Sequence, residues 1–155
     1  HDLLAAVRYV VKNAATLAAD TDNIAVFGCS AGGIIVAHAN LNDLEEGDSG
    51  NPGYSSSFAV AMVLSGGVEP DLAGELPMKS AEAVVPYIAQ HSVADVDVTY
   101  DYAETTQTLL NNLQVPNELI TYQGSSHCGD PSTMPGEANA VLFDDFMAFA
   151  LSHMT

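Results

Sequence analysis

One stretch of this sequence has the form a reactive serine requires. Gly28-Cys29-Ser30-Ala31-Gly32 fits G-x-S-x-G, between a short apolar run, Asn23 to Phe27, and a run of small and apolar residues, Ala31 to Leu41. Strand, sharp turn and helix in that order hold a serine in a strained backbone conformation at the carboxyl edge of a sheet. The glycines are needed because the segments flanking the turn pack closely. A serine hydroxyl is a poor nucleophile at neutral pH, so it requires a base within hydrogen-bond reach and a carboxylate to orient that base. On turns of this kind the acid and then the base follow along the chain, each in a loop after a later strand.

Asp95, in His91-Ser92-Val93-Ala94-Asp95, and His127, in Gly124-Ser125-Ser126-His127-Cys128, occupy those two places. Of the five histidines, His1 and His153 sit at the chain ends, His38 falls inside the helix after Ser30 and His91 precedes the acid loop. His127 is therefore the candidate base. Asp97 stays open as an alternative orienter, because only geometry separates it from Asp95, whereas Asp101 reads as a helix-start residue. The N-H of Ala31 would offer one donor to the negative charge that develops on an attacked carbonyl.

The two cysteines flank this constellation, Cys29 just before the candidate nucleophile and Cys128 just after the candidate base. If Ser30 and His127 touch, a disulfide joining Cys29 and Cys128 becomes feasible within a Cα separation of about 7 Å. Two buried free thiols are the other possibility. Two cysteines and scattered histidines lack the ligand spacing of a zinc site, and no metal or cofactor is expected.

Positioning these residues takes alternating strands and helices. Leu3, Leu4, Val7, Val11, Ala14 and Ala18 recur at helical spacing, which predicts one helix over 3–18 with Asp2 as its N-cap. Asn23 to Phe27, Phe58 to Leu64, Val84 to His91 and Glu118 to Tyr122 have the length and composition of strands, the third tolerating Pro86 near its start. Between them lie the helix Ala31 to Leu41, a polar surface loop over 42–57, and a helical segment from beyond Val98 through Leu113. A last helix, Ala138 to Ser152, places Val141, Leu142, Phe146 and Phe149 on one face. Strands alternating with helices imply a parallel sheet covered on both sides.

The composition, 48% hydrophobic over 155 residues, suits one domain spanning 1–155. Only Arg8, Lys12 and Lys79 oppose 20 acidic residues, for a formal charge of −17. Such a surface repels a phosphate backbone, so nucleic acid is not an expected partner. No apolar stretch approaches the ~20 residues that span a bilayer, and no membrane association is expected.

With these residues in view, the sequence resembles the carboxylesterase and feruloyl-esterase side of the α/β-hydrolase superfamily over nearly its whole length. His1-Asp2 with Ala5-Ala6-Val7-Arg8-Tyr9-Val10 resembles the helix before the nucleophile strand, Gly28 to Gly33 the nucleophile turn, and His91 to Tyr100 the acid loop. Cysteine before the serine and after the histidine resembles tannases and fungal feruloyl esterases, in which a disulfide joins the catalytic loops. The resemblance implies a Ser30, His127, Asp95 triad that hydrolyses small or polysaccharide-linked carboxylic esters through an acyl-enzyme, and the disulfide implies a secreted or periplasmic protein. It also implies strands before Asn23, with an HGG-type loop that completes the oxyanion hole, which this stretch does not contain. A partial α/β-hydrolase fold lacking its N-terminal strands is thus expected, with a missing N-terminal segment or a second copy pairing at the strand Asn23 to Phe27. A peptidase, an acyltransferase or a non-catalytic binding domain on the same scaffold are the alternatives.

Overall fold

The computed structural model describes residues 1–129 and 138–155, and the side chains of all of these except 138–143. Its elements are α1 (Asp2–Lys12), α2 (Ala14–Leu17), β1 (Ala25–Cys29), α3 (Ala31–Leu41), β2 (Val60–Leu64), β3 (Tyr87–Ser92), α4 (Asp101–Asn112), β4 (Asn117–Tyr122) and α5 (Ala138–His153). The four strands form one sheet in the order β1-β2-β3-β4, and every pairing is parallel.

Side chains alternate across each strand, so the two faces of the sheet bury different residues. On one face Val26, Ala61, Val63, Tyr87 and Ala89 pack with Leu4 and Val7 of α1, Val36 and Leu41 of α3, and Leu110 of α4. On the other, Val60, Met62, Leu64 and Ile88 pack with Phe146 and Ala150 of α5. Helices thus cover both faces. β2 and β3, central in the order, are buried at every position; β2 accordingly reads as an unbroken apolar run, whereas β3 carries buried Gln90, His91 and Ser92 at its carboxyl end. β1, at one edge, alternates between exposed and buried positions up to Cys29.

Several boundaries differ from those expected. The single helix over 3–18 is two, broken at Asn13, whose backbone leaves helical geometry (φ −106°, ψ 17°) while its side-chain amide donates to the Tyr9 carbonyl (2.8 Å). A side chain that bonds a carboxyl-terminal carbonyl competes with continuation of the helix. Asp2 is the first helical residue rather than the cap, which is His1, and its carboxylate accepts from the Ser49 hydroxyl (2.6 Å). The first strand is displaced from Asn23 to Phe27 to Ala25–Cys29, because Gly28 and Cys29 continue the ladder opposite Val63 and Leu64. β3 begins only after Pro86, whose carbonyl accepts from Ala61 N-H (3.0 Å) but which has no N-H to give. Asp101 opens α4 as expected. Phe146 of α5 is buried against the sheet, while Val141 and Leu142, expected beside it, lie outside the described side chains.

Candidate active site

Ser30 stands between the end of β1 and the start of α3 with φ 56° and ψ −125°. A non-glycine residue held in this region costs on the order of 1–3 kcal/mol and persists only where its surroundings dictate it. Here Ser30 N-H donates to the Leu64 carbonyl (3.0 Å), and the Ser30 carbonyl accepts from Ile34 N-H in the first turn of α3 (3.0 Å). Close packing supplies the rest. A Cβ at Gly28 would collide with the Gly32 carbonyl, and one at Gly33 would lie 2.9 Å from Val63 Cγ1. A Cβ at Gly66, after β2, would fall 2.9 Å from Gly33 Cα. A Cβ at Gly32, by contrast, would meet nothing within 4 Å. The glycines the turn needs for space are therefore Gly28, Gly33 and Gly66; Gly32 matters through its carbonyl.

The three candidate side chains come together across the carboxyl ends of three strands. Ser30 Oγ lies 2.8 Å from His127 Nε2, and His127 Nδ1 lies 2.8 Å from Asp95 Oδ2. With Nδ1-H donating to the carboxylate, Nε2 is left to accept from the Ser30 hydroxyl. Asp95 sits in the turn after β3, its side chain fully buried, and its Oδ1 accepts from Asp97 N-H (3.0 Å) and Val98 N-H (3.2 Å). Burial alone would favour the neutral acid. The hydrogen bond from His127, the two backbone N-H groups and the attraction of the imidazole outweigh it and hold the carboxyl below its ordinary range. Asp97, the alternative orienter, contributes its backbone N-H to Asp95 and does not replace it.

The histidine loop is fastened on both sides of the pair. Cys29 and Cys128 form a disulfide with a Cα separation of 5.8 Å. Cys128 N-H also donates to Ser65 Oγ (3.0 Å). Ser65, buried directly after β2 with φ 48°, is tied in turn through its N-H to the Gln90 carbonyl (2.9 Å). Sequence reasoning missed Ser65, a single serine without a motif, and Gly66, whose only signal is a glycine pair after an apolar run. Ala31 is the first residue of α3, where an N-H has no acceptor within the helix.

Among the described residues, Asp95, Asp97 and His127 alone bring three metal-ligand side chains within 4.8 Å of one another, and Asp95 and His127 already engage each other there. Of the other histidines, His38 is bonded to Asn42 (2.8 Å) and His153 to the Phe149 carbonyl (2.9 Å), both away from this cluster. A cavity of about 450 Å³ lined by Leu4, Asn40, Phe58, Lys79 and Glu82 lies at the amino ends of β2 and β3, opposite Ser30. No helix among the described residues is long and apolar enough to cross a membrane.

A family model described as BD-FAE matches residues 1–83, more than half of the chain. The chain belongs to the BD-FAE family. The match covers α1, the nucleophile-like turn and β2 of this BD-FAE chain, and ends before the loops that carry Asp95 and His127. Comparison with curated proteins finds no match.

Among solved structures, esterase 2 of Thermogutta terrifontis with bound butyrate superposes with a TM-score of 0.72 at 19% identity, covering 97% of this chain and 64% of that one. A truncated carbohydrate esterase from gut microbiota gives 0.72 at 18% identity, covering 98% and 67%. An acetyl ester-xyloside bifunctional hydrolase from Caldicellulosiruptor lactoaceticus gives 0.66 at 18%, covering 96% and 61%. These likenesses establish the fold: a four-stranded part of the α/β-hydrolase sheet with its helices. The chain spans under two thirds of the length of the Thermogutta esterase.

Proposed function

We propose that the chain carries the nucleophile, acid and base of a serine carboxylesterase. The observation that supports this is the continuous hydrogen-bonded line from Ser30 Oγ through His127 to a buried Asp95, 2.8 Å at each step. Ser30 Oγ attacks the ester carbonyl carbon while His127 Nε2 takes its proton, and Asp95, ionised, stabilises the resulting imidazolium. The imidazolium gives that proton to the departing alkoxide, leaving the acyl group on Ser30. His127 then deprotonates a water, which attacks the acyl-enzyme, and Ser30 recovers its proton as the carboxylic acid leaves. Ala31 N-H is one donor to the oxyanion. A second is assigned to a further N-terminal segment or a second copy pairing along β1 at the sheet edge.

Short acyl esters carried on carbohydrate are the substrate class this reading favours, because structural neighbours include a carbohydrate esterase and an acetyl ester-xyloside hydrolase. The Cys29–Cys128 disulfide fits an oxidising compartment, outside the cell or periplasmic. Hydrolysis of p-nitrophenyl acetate and of acetylated xylo-oligosaccharide by wild type and Ser30→Ala tests the proposal. Turnover abolished by the substitution supports it. Identical background rates for both proteins would favour a binding domain, and cleavage of peptides in place of esters would favour a peptidase.

A further inference from the structure

His91, at the end of β3, is a buried titratable group that the mechanism above does not use. It has no exposed surface. Its Nε2 lies 2.9 Å from the Val98 carbonyl and 3.5 Å from Asp95 Oδ2. Both neighbours are acceptors, so Nε2 must carry a proton. Nδ1 has no partner among the described residues, which leaves Nε2-H as the contact that fixes the ring's rotation. The ring packs perpendicular to that of Tyr100, with centroids 5.7 Å apart and planes at 89°, and the Tyr100 hydroxyl is anchored to Thr121 Oγ1 (2.7 Å).

We propose that His91 is a positioning residue for the acid of the triad: its Nε2-H holds the Val98 carbonyl, and so the turn 95–98 whose N-H groups aim Asp95 at His127. The chain of contacts has no gap. His91 donates to Val98 O (2.9 Å), Val98 N-H and Asp97 N-H donate to Asp95 Oδ1, and Asp95 Oδ2 accepts from His127 Nδ1 (2.8 Å). A carboxylate in a solvated loop would swing between rotamers. Here two backbone donors fix one oxygen and leave the other for the imidazole, provided that the turn presenting those donors keeps its shape. The Val98 carbonyl belongs to that turn and faces the interior, where losing its donor leaves a buried acceptor unsatisfied. His91 lies too far back to touch a reacting atom.

The inference rests on the triad reading, and its test is chosen so that the two can fail separately. A glutamine side chain extends its amide nitrogen to about the reach of Nε2, whereas asparagine stops near Nδ1. The titratable groups facing the cluster are Asp95, Asp97 and His127 from the two loops and Tyr100 at the start of α4. A well-placed Asp95 accepts from His127 Nδ1-H (2.8 Å) and protects that proton from exchange with water; a loosened one does not, so the downfield Nδ1-H resonance in proton NMR reports its placement.

The expected result for His91→Asn is kcat for p-nitrophenyl acetate down about 10- to 100-fold with KM within about threefold, and the His127 Nδ1-H resonance broadened or lost. His91→Gln should stay within about threefold of wild type, with that resonance in place. The resonance is read whether or not the protein turns over an ester. Failure of the wild type to hydrolyse esters would thus count against the proposed function without deciding the role of His91. If His91→Asn does not fold, His91→Met, which fills similar space without a donor, takes its place beside His91→Gln. Loss of the His127 resonance in the variant without a donor to Val98 and its retention in His91→Gln supports the role; equal behaviour of the two variants, with the resonance as in wild type, overturns it.

Discussion

Replacing Asp95 by asparagine keeps the shape of the acid and reverses one end of its hydrogen bonding. Oδ1 is fixed as an acceptor by Asp97 N-H and Val98 N-H, so the amide oxygen of Asp95→Asn must take that place. Its NH2 is then turned toward His127 Nδ1, where Oδ2 now accepts at 2.8 Å. A donor facing Nδ1 forces the imidazole proton onto Nε2, which can no longer accept from Ser30 Oγ. The nucleophile is left without its base, although no atom needs to move. In serine hydrolases this tautomer reversal costs about 10⁴-fold in kcat, or about 5.4 kcal/mol of barrier. Initial rates with p-nitrophenyl acetate at pH 7, normalised to folded protein, measure it. A loss of under tenfold would refute the reasoning, since the asparagine would then have flipped against two backbone donors or Asp95 would not orient the base.

Asp95 also sets a pH dependence of stability. Its folded-state pKa is depressed despite burial, chiefly by the hydrogen bond from His127 and by the two backbone donors. Its contribution is therefore complete above the unfolded carboxylate's pKa of about 3.9 and lost as pH falls through the lower folded value. Denaturation midpoints of wild type and Asp95→Asn should differ at pH 7, and the gap should narrow as the pH falls below the ordinary carboxylate pKa of about 3.9; a constant gap would contradict this. Reduction of Cys29–Cys128, which closes a loop with a sequence separation of 99, should cost about 2–5 kcal/mol in urea unfolding, and an unchanged midpoint would show that the bond constrains nothing. Gly28→Ala should lose about 1–3 kcal/mol because its Cβ meets the Gly32 carbonyl. Gly32→Ala, with open space, should unfold at or above the wild-type temperature. The reverse order would show the turn packed differently.

The alternation of elements was legible because buried parallel strands are short apolar runs and their helices carry a different period. Edges were less so. β1 runs on through Gly28 and Cys29 because of a ladder with β2 that no local pattern announces, and α1 ends at Asn13, whose backbone N-H and side-chain amide both turn back to the Tyr9 carbonyl. Ser30, Asp95 and His127 could be named from a motif and loop positions, and the structure brings them within hydrogen-bond distance; their roles rest on the chemistry proposed. Ser65 and Gly66 come only from the sheet order, which sets residues far apart in sequence against one another, and the contact of His91 with the Val98 carbonyl only from the course of the turn after β3.

Labelling with a fluorophosphonate, followed by mapping of the modified peptide, addresses Ser30 most directly. The proposed mechanism requires one equivalent of label on Ser30, abolished by Ser30→Ala and strongly slowed by His127→Ala. Absence of labelling in the folded, oxidised protein, or label on another residue, would contradict it.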